Sequence, residues 1–148
     1  MFRKSKPLLS DGEIQLRLVR KVVDPDPAGW GTSYIYDIEA KHTIVGRCDL
    51  RIGDTFTLDL AGHIGYAVYL PYRGHHYAAK ATLLLFQQAK HLGMSQLIIT
   101  CNPDNIASFK TCELVGCTYV CNKPVPPLHD LYKQGDREKA IFIKDLSV

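Results

Sequence analysis

The chain has 148 residues, a formal net charge of +3, and 46% hydrophobic and 22% charged residues. This is ordinary globular usage, and the length suits one domain with a substantial core. The charge is too small, and Lys and Arg too dispersed, to indicate nucleic-acid binding; no apolar run is long enough to span a bilayer.

Met1 to Ser10 is basic but lacks the apolar stretch of a secretory signal. It reads as an N-terminal tail, with the folded domain expected over 11–148. The five cysteines, Cys48, Cys101, Cys112, Cys117 and Cys121, are odd in number and scattered. That pattern suits a reducing cytoplasm better than a disulfide framework. Cys117 and Cys121 would share a strand face, but their spacing matches no common zinc pair, so no metal site is expected.

Glu13 to Val22 alternates, with Ile14, Leu16 and Leu18 on one face, and predicts a strand. Asp24-Pro25-Asp26-Pro27-Ala28-Gly29-Trp30-Gly31 is a breaker-rich connection. Tyr34 to Ala40 and Thr43 to Ile52 predict a hairpin reversing tightly at Lys41-His42. Gly53-Asp54 starts a turn, Phe56 to Leu60 carries no clear pattern, and His63 to Leu70 is a strong strand.

From His75 to Leu92 the apolar residues Ala78, Ala81, Leu84, Leu85, Ala89 and Leu92 recur at helical spacing, and Gly93 is a natural stop. Gln96 to Cys101 is a short buried strand. Asn102-Pro103-Asp104 turns the chain, and Asp104 or Asn105 can cap a helix running to about Val115 and closed by Gly116. Cys117 to Cys121 and Ala140 to Lys144 are the last predicted strands, with Pro124, Pro126 and Pro127 keeping their connection irregular.

The functional clue is Tyr72-Arg73-Gly74-His75-His76-Tyr77-Ala78, which joins a strand to a long helix. The first N–H groups of that helix lack intrahelical partners and sit at the positive end of its dipole, a ready seat for phosphate oxygens. No Gly-Lys-Ser/Thr sequence follows, which disfavours a P-loop nucleotide binder.

These residues, followed by Asn102-Pro103-Asp104-Asn105-Ile106-Ala107-Ser108 and Glu113-Leu114-Val115-Gly116-Cys117, resemble the GNAT superfamily of acyl-CoA-dependent N-acetyltransferases. The resemblance covers roughly Thr43 to Val120. Arg73 and Ala78 match the phosphate-binding pattern, while His76 stands where the family usually has Gly. It implies a single α/β domain whose mixed, mostly antiparallel sheet is splayed and flanked by helices. A bulge in the His63–Leu70 strand would part it from Gln96–Cys101. Only Val23 to Ser33 lies between the first two strands, so the family's helical wall there would be reduced. The acceptor cleft is then open, or completed in a homodimer, with Trp30 and Tyr34 as apolar walls, or with Trp30 instead a plug over the sheet edge.

The resemblance further implies acetyl-CoA as acyl donor. Backbone groups of Tyr66, Ala67 and Val68 would meet the pantetheine, and a strand N–H near Val68 would polarise the thioester carbonyl. The amides of Gly74, His75, His76, Tyr77, Ala78 and Ala79 would wrap the diphosphate. Asn105 and Ser108 match positions that contact the cofactor. His76 would keep helical φ and ψ, and could make cofactor affinity rise below neutral pH. The family's usual proton-donating Tyr, four residues before the closing Gly, is replaced by Cys112, which either donates as a thiol or simply packs. No base stands on the expected face of the 63–70 strand. His63 would point away, and Glu39 and Asp49 are alternatives acting through water. The implied reaction is direct attack of a primary amine, on a small molecule or a protein, within a ternary complex. The rival reading is a module that senses CoA without turnover.

Overall fold

The computed structural model describes residues 9–25, 31–53 and 58–147. Strands β1 (Leu9–Ser10), β2 (Ile14–Val23), β3 (Thr32–Ala40), β4 (Thr43–Ile52) and β5 (Ile64–Val68) lie side by side in chain order, all antiparallel. Three further strands, β6 (Gln96–Cys101), β7 (Thr118–Pro124) and β8 (Glu138–Asp145), form a second antiparallel sheet with β8 in the middle. Helix α1 (Tyr77–His91) connects the sheets, α2 (Ile106–Leu114) follows β6, and the single turn α3 (Asp130–Lys133) precedes β8. This is the splayed α/β arrangement expected from the sequence.

Period-two burial organises the larger sheet. Ile14 and Leu16 of β2, Tyr36, Ile38 and Ala40 of β3, and Cys48 and Leu50 of β4 are buried on one face. That face packs against the stripe of α1 carrying Ala81, Leu84, Leu85 and Ala89. Each buried Leu contributes about 1.5–3 kcal/mol, and Leu85→Ala would cost about 2–5 kcal/mol through transfer and cavity terms. Lys41 and His42 both adopt left-handed φ, at 51° and 65°, as a two-residue hairpin turn requires. Gly93, at φ 90°, ends α1, with the Met94 amide reaching back to Ala89 O.

Four details differ from the sequence reading. Leu9 and Ser10, assigned to the tail, pair with Leu16 and Gln15 as an added edge strand. Strand β7 runs on to Pro124, which is tolerated because β7 lies at a sheet edge. Turn α3 was not foreseen, being too short for a helical period. The fourth is the origin of the splay. Strand β5 pairs with β4 without a shift from Ile64 to Val68, so no bulge interrupts it there. The parting instead begins at His63.

His63 is a fork. Its carbonyl accepts from the Arg51 amide of β4 at 2.7 Å, while its own amide turns to Ile98 O of β6 at 2.7 Å. Its Nδ1 then accepts the Ile98 amide at 2.9 Å, a donor that a regular ladder would give to a backbone carbonyl. With that donor taken by a side chain, the ladder stops, and β5 and β6 diverge beyond it. The ring is 1% exposed, and Nε2 lies 3.2 Å from Gly53 O. Its proton therefore sits on Nε2. His63 holds the fold and is no proton acceptor for a substrate.

The connection between β2 and β3 closes tightly: Asp24 N–H donates to Gly31 O at 3.0 Å. Among the described residues of this connection, 24, 25 and 31, there is no helix. Trp30 lies outside the described residues.

Candidate active site

The geometry of β5 decides which backbone groups face the gap. The Arg51 amide reaches His63 O, and the Tyr69 amide reaches Val45 O at 2.8 Å. Odd-numbered residues of β5 therefore pair with β4, and even-numbered ones turn their N–H and C=O toward β6. Of the three residues implied for pantetheine, Tyr66 and Val68 present backbone groups to the gap. Ala67 is registered with Arg47 and offers only its methyl group. The Val68 carbonyl already accepts Arg73 Nε at 2.8 Å, so the Val68 amide is the free half of that peptide pair.

Beyond β5 the chain makes one 3-10 turn, Leu70–Tyr72, and enters the basic loop. Gly74 has φ 95° and His76 has φ 60°, ψ 28°. The sequence reading placed His76 in helical backbone; it is left-handed, as a glycine would be. Left-handed residues set among right-handed or extended ones turn successive N–H groups toward one concavity, an anion-binding nest. The first helical bond of α1 is Lys80 N–H to His76 O at 3.0 Å. The amides of Tyr77, Ala78 and Ala79 precede it and have no partner within the helix. Adding a Cβ at Gly74 would meet nothing within 4 Å, so the loop is open on that side.

A cleft of about 600 Å³ runs from this loop along β5 to α2. It is lined by Arg73, Gly74, His76, Tyr77 and Ala78 at one end, and by Asn105, Ser108, Thr111 and Leu114 of the α2 region at the other. Asn105 is the N-cap of α2, its Oδ1 accepting the Ser108 amide at 3.1 Å. Its first role is thus to start the helix. His75 and Ala79 belong to the loop and helix start but are not among the lining side chains.

At the inner end, Tyr66 OH lies 2.6 Å from Ser108 Oγ. Burial pushes the Tyr66 hydroxyl up, and the nearby Cys112 adds to this. Burial also pushes the Cys101 thiol up, while a hydrogen bond from Ser108 opposes it. Ser108 Oγ therefore stands between a phenol and a thiol, where the two sheets part. Tyr66 was read in the sequence for its backbone alone.

Cys112 sits one turn after Ser108 on the same face of α2 and is fully buried. Its contact with Cys117, and then burial, push its thiol well above the ordinary range. It is absent from the cleft lining. Its burial is what packing requires, while its thiol also touches the Tyr66 hydroxyl, so the two readings the sequence left open both stand on this placement.

A second cleft, of about 510 Å³, continues on the far side of Tyr66, Asn105 and Ser108. Its walls include Arg51, Leu60, Ala61, Ile64, Thr100, Cys101 and Asn102 below, with Leu131, Gln134 and Asp136 from the β7–β8 connection and Lys139 of β8 above. Lys139 Nζ bridges Asp136 Oδ2 at 3.0 Å and Asn102 Oδ1 at 2.9 Å. None of these upper residues was legible as functional, because they follow a short irregular connection without a motif. Tyr34, expected as an acceptor wall, instead packs against the core beside Lys21 Nζ, 5.6 Å from its ring centroid.

The two carboxylates considered as bases are both engaged. Glu39 accepts Arg17 Nε at 2.7 Å and Gln15 Nε2 at 2.7 Å. Asp49 pairs with Arg51 Nε at 2.9 Å and lies over Gly65, where a Cβ would come within 2.6 Å of Oδ1. Burial raises the Asp49 pKa, opposed by Arg51. Asp49 lines a shallower cleft with Arg20 and Arg47, on the other side of Gly65 and Tyr66.

A splayed sheet, a run of helix-start amides without intrahelical partners, and a gap leading from them to a polar cleft define the α/β class that the resemblance implied. A model of the acetyltransferase (GNAT) domain family matches residues 9–118, and the chain belongs to that family. Among solved structures it is similar to the microcin C7 self-immunity acetyltransferase MccE in complex with acetyl-CoA and AMP: 23% identity, TM-score 0.59, 76% of this chain and 61% of that one. It is also similar to the ribosomal L7/L12 alpha-N-protein acetyltransferase RimL in complex with coenzyme A, at 13% identity and TM-score 0.68, over 94% and 98% of the two chains. An acetyltransferase from Agrobacterium tumefaciens str. C58 shares 18% identity and a TM-score of 0.61, over 97% of each chain. At these identities the likeness is one of fold. The chain spans about 61% of the length of the MccE structure it matches. No curated protein matches it.

Proposed function

We propose that the protein transfers an acetyl group from acetyl-CoA to a primary amine, by direct attack within a ternary complex. The observation that carries this reading is the meeting of two clefts at Tyr66, Asn105 and Ser108, one arriving from the amide-lined loop and the other lined by polar side chains. A sensor needs the first cleft. A transferase needs both.

In this reading the amides from Gly74 to Ala79 and the α1 dipole hold the diphosphate. The Arg73 guanidinium, fixed through Nε to Val68 O, keeps its terminal nitrogens for phosphate oxygens. Tyr66 and Val68 pair with the pantetheine as a substitute for the missing β6 ladder. Acetyl-CoA supplies an activated carbonyl and a thiolate that departs easily.

The protein supplies hydrogen bonds at that centre. A gap-facing amide of β5, of Tyr66 or Val68, polarises the carbonyl. An acceptor that arrives as ammonium first gives a proton to solvent. As the neutral amine attacks, the C–N bond forms, the C–S bond breaks, and the nitrogen releases a second proton to water. The departing sulfur takes one from the hydroxyl pair of Tyr66 and Ser108, which solvent restores. A phenol held protonated by burial remains a donor at neutral pH. Cys112 is not needed for this step.

Incubation with acetyl-CoA and a panel of primary amines tests the proposal, reading free thiol and the mass of the acetylated amine. Amine-dependent thiol release with a matching mass increase supports transfer. Calorimetric binding of CoA without release above hydrolysis would favour the sensing module instead.

A further inference from the structure

This inference rests on the transferase reading and names what receives the acceptor. An alkylammonium arriving at the reaction centre needs a carboxylate in the second cleft. Among the described residues, the lining of that cleft contains one: Asp136. We propose that Asp136, on the connection between α3 and β8, is the seat for the ammonium of a cationic primary amine.

Its surroundings fit that task. The Asp136 side chain is 20% exposed and Lys139 11%, so the pair is mostly shielded yet open to the cleft. Lys139 Nζ takes only Oδ2; no other partner of the carboxylate is seen among the described residues, which leaves Oδ1 for an incoming donor. Lys139 also holds Asn102 Oδ1 at 2.9 Å, at the end of β6. Three residues further, Asn105 caps α2 and fixes the Ser108 amide. The carboxylate is thus linked by short bonds to the strand and turn that place Ser108. An arriving ammonium at Oδ1 adds to the existing charge-assisted bond from Lys139 to Oδ2 instead of replacing it.

The rival carboxylates serve other partners. Asp49 lines the neighbouring cleft and is bound to Arg51, which borders both clefts, and Glu39 is held by Arg17 and Gln15. A cationic acceptor therefore finds its anion on the β7–β8 connection, not on the strands that the sequence suggested. That connection also supplies, through Leu131 and Gln134, the upper wall of the cleft.

The experiment compares Asp136→Asn with wild type on two acceptors, an alkylamine charged at neutral pH and hydroxylamine, which is neutral there. Asparagine keeps the shape and can still accept from Lys139. The expected result is a KM for the alkylamine raised about tenfold or more, the value of a charge-assisted hydrogen bond. The KM for hydroxylamine and the dissociation constant of CoA should be unchanged, and the melting temperature should confirm folding. An unchanged alkylamine KM, or an equal loss with both acceptors, overturns the assignment of Asp136. Failure of the wild-type protein to acetylate either acceptor while binding CoA would instead remove the transferase reading on which it rests.

Discussion

The Tyr66 hydroxyl lies 2.6 Å from Ser108 Oγ, joining a strand of one sheet to the helix that follows the other. Removing either oxygen should slow the reaction without loosening the carrier. Tyr66→Phe and Ser108→Ala are each expected to lower kcat about a hundredfold, the usual scale of a positioned proton donor. Because the two act as a unit, the double variant should be little worse than either single one. Multiplicative losses in steady-state kinetics would show independent roles.

The pH dependence follows from the same pair. Burial disfavours the Tyr66 phenolate and raises its pKa above the ordinary 10.0, so the proton is retained as pH rises. Loss of kcat through Tyr66 should therefore not appear below pH 10. A kcat profile falling between pH 8 and 9 in wild type, but not in Tyr66→Phe, would contradict this.

The larger features of the fold were legible because local signals agreed with tertiary demands. The central stripe of α1 (Ala81, Leu84, Leu85 and Ala89), the stop at Gly93 and the reversal at Lys41-His42 appear where the sequence places them, while Ala78 is half-buried and Leu92 exposed. What escaped were effects of single side chains acting across long separations. Nothing local distinguishes His63 from any strand histidine, yet its Nδ1 ends a ladder with a residue 35 positions away. The placement of Cys112 depends on what surrounds α2, and the role proposed for Asp136 depends on Lys139 and Asn102 together. The backbone at His76 was misread because a non-glycine residue in left-handed conformation is an exception that only context can impose.

That exception makes its own prediction. Left-handed backbone costs a residue with a Cβ about 1–2 kcal/mol, so His76→Gly should stabilise the protein by up to about 1 kcal/mol, after the entropy that glycine adds to the unfolded chain. Affinity for CoA should be kept, since the amide direction is unchanged. His76→Val, whose branched Cβ resists φ 60°, should lower both stability and affinity. Comparable CoA affinity across Gly, His and Val, by calorimetry, would show that the loop geometry does not matter. A pH-dependent affinity that survives His76→Gly would assign any such dependence elsewhere.

Glu39 gives a stability effect with a defined sign. Its hydrogen bond from Arg17, and then that from Gln15, lower its pKa below the ordinary 4.5. The folded state therefore binds this proton less readily than the unfolded chain does. Its stabilisation is present above pH 4.5 and is lost as pH falls through the depressed value. The pair is solvent-facing, so the effect is small and weakens with salt. Glu39→Gln should melt slightly below wild type at pH 7 in low salt, and the two should converge toward pH 3. A gap that widens in acid would reverse the sign.

Gly46 controls the spacing between β4 and β5, and hence the position of the gap-facing amides. It is registered with Val68, and a Cβ there would lie 2.3 Å from Ala67 O and 3.0 Å from Val68 Cα. Both obstacles are backbone, so no rotamer change can relieve the contact. Gly46→Ala must push β5 away from β4, at a cost of about 2 kcal/mol and roughly 6 °C in melting temperature. The displaced strand would carry the Tyr66 and Val68 amides out of line, so affinity for CoA should fall as well. Gly93→Ala is the matched control: its Cβ would meet nothing within 4 Å, but it must hold φ 90° at the end of α1. It should lose about 1 kcal/mol through backbone strain alone and bind CoA normally. If the two variants proved equally mild in melting and equally good in calorimetry, close approach at Gly46 would not be what sets β5 in place.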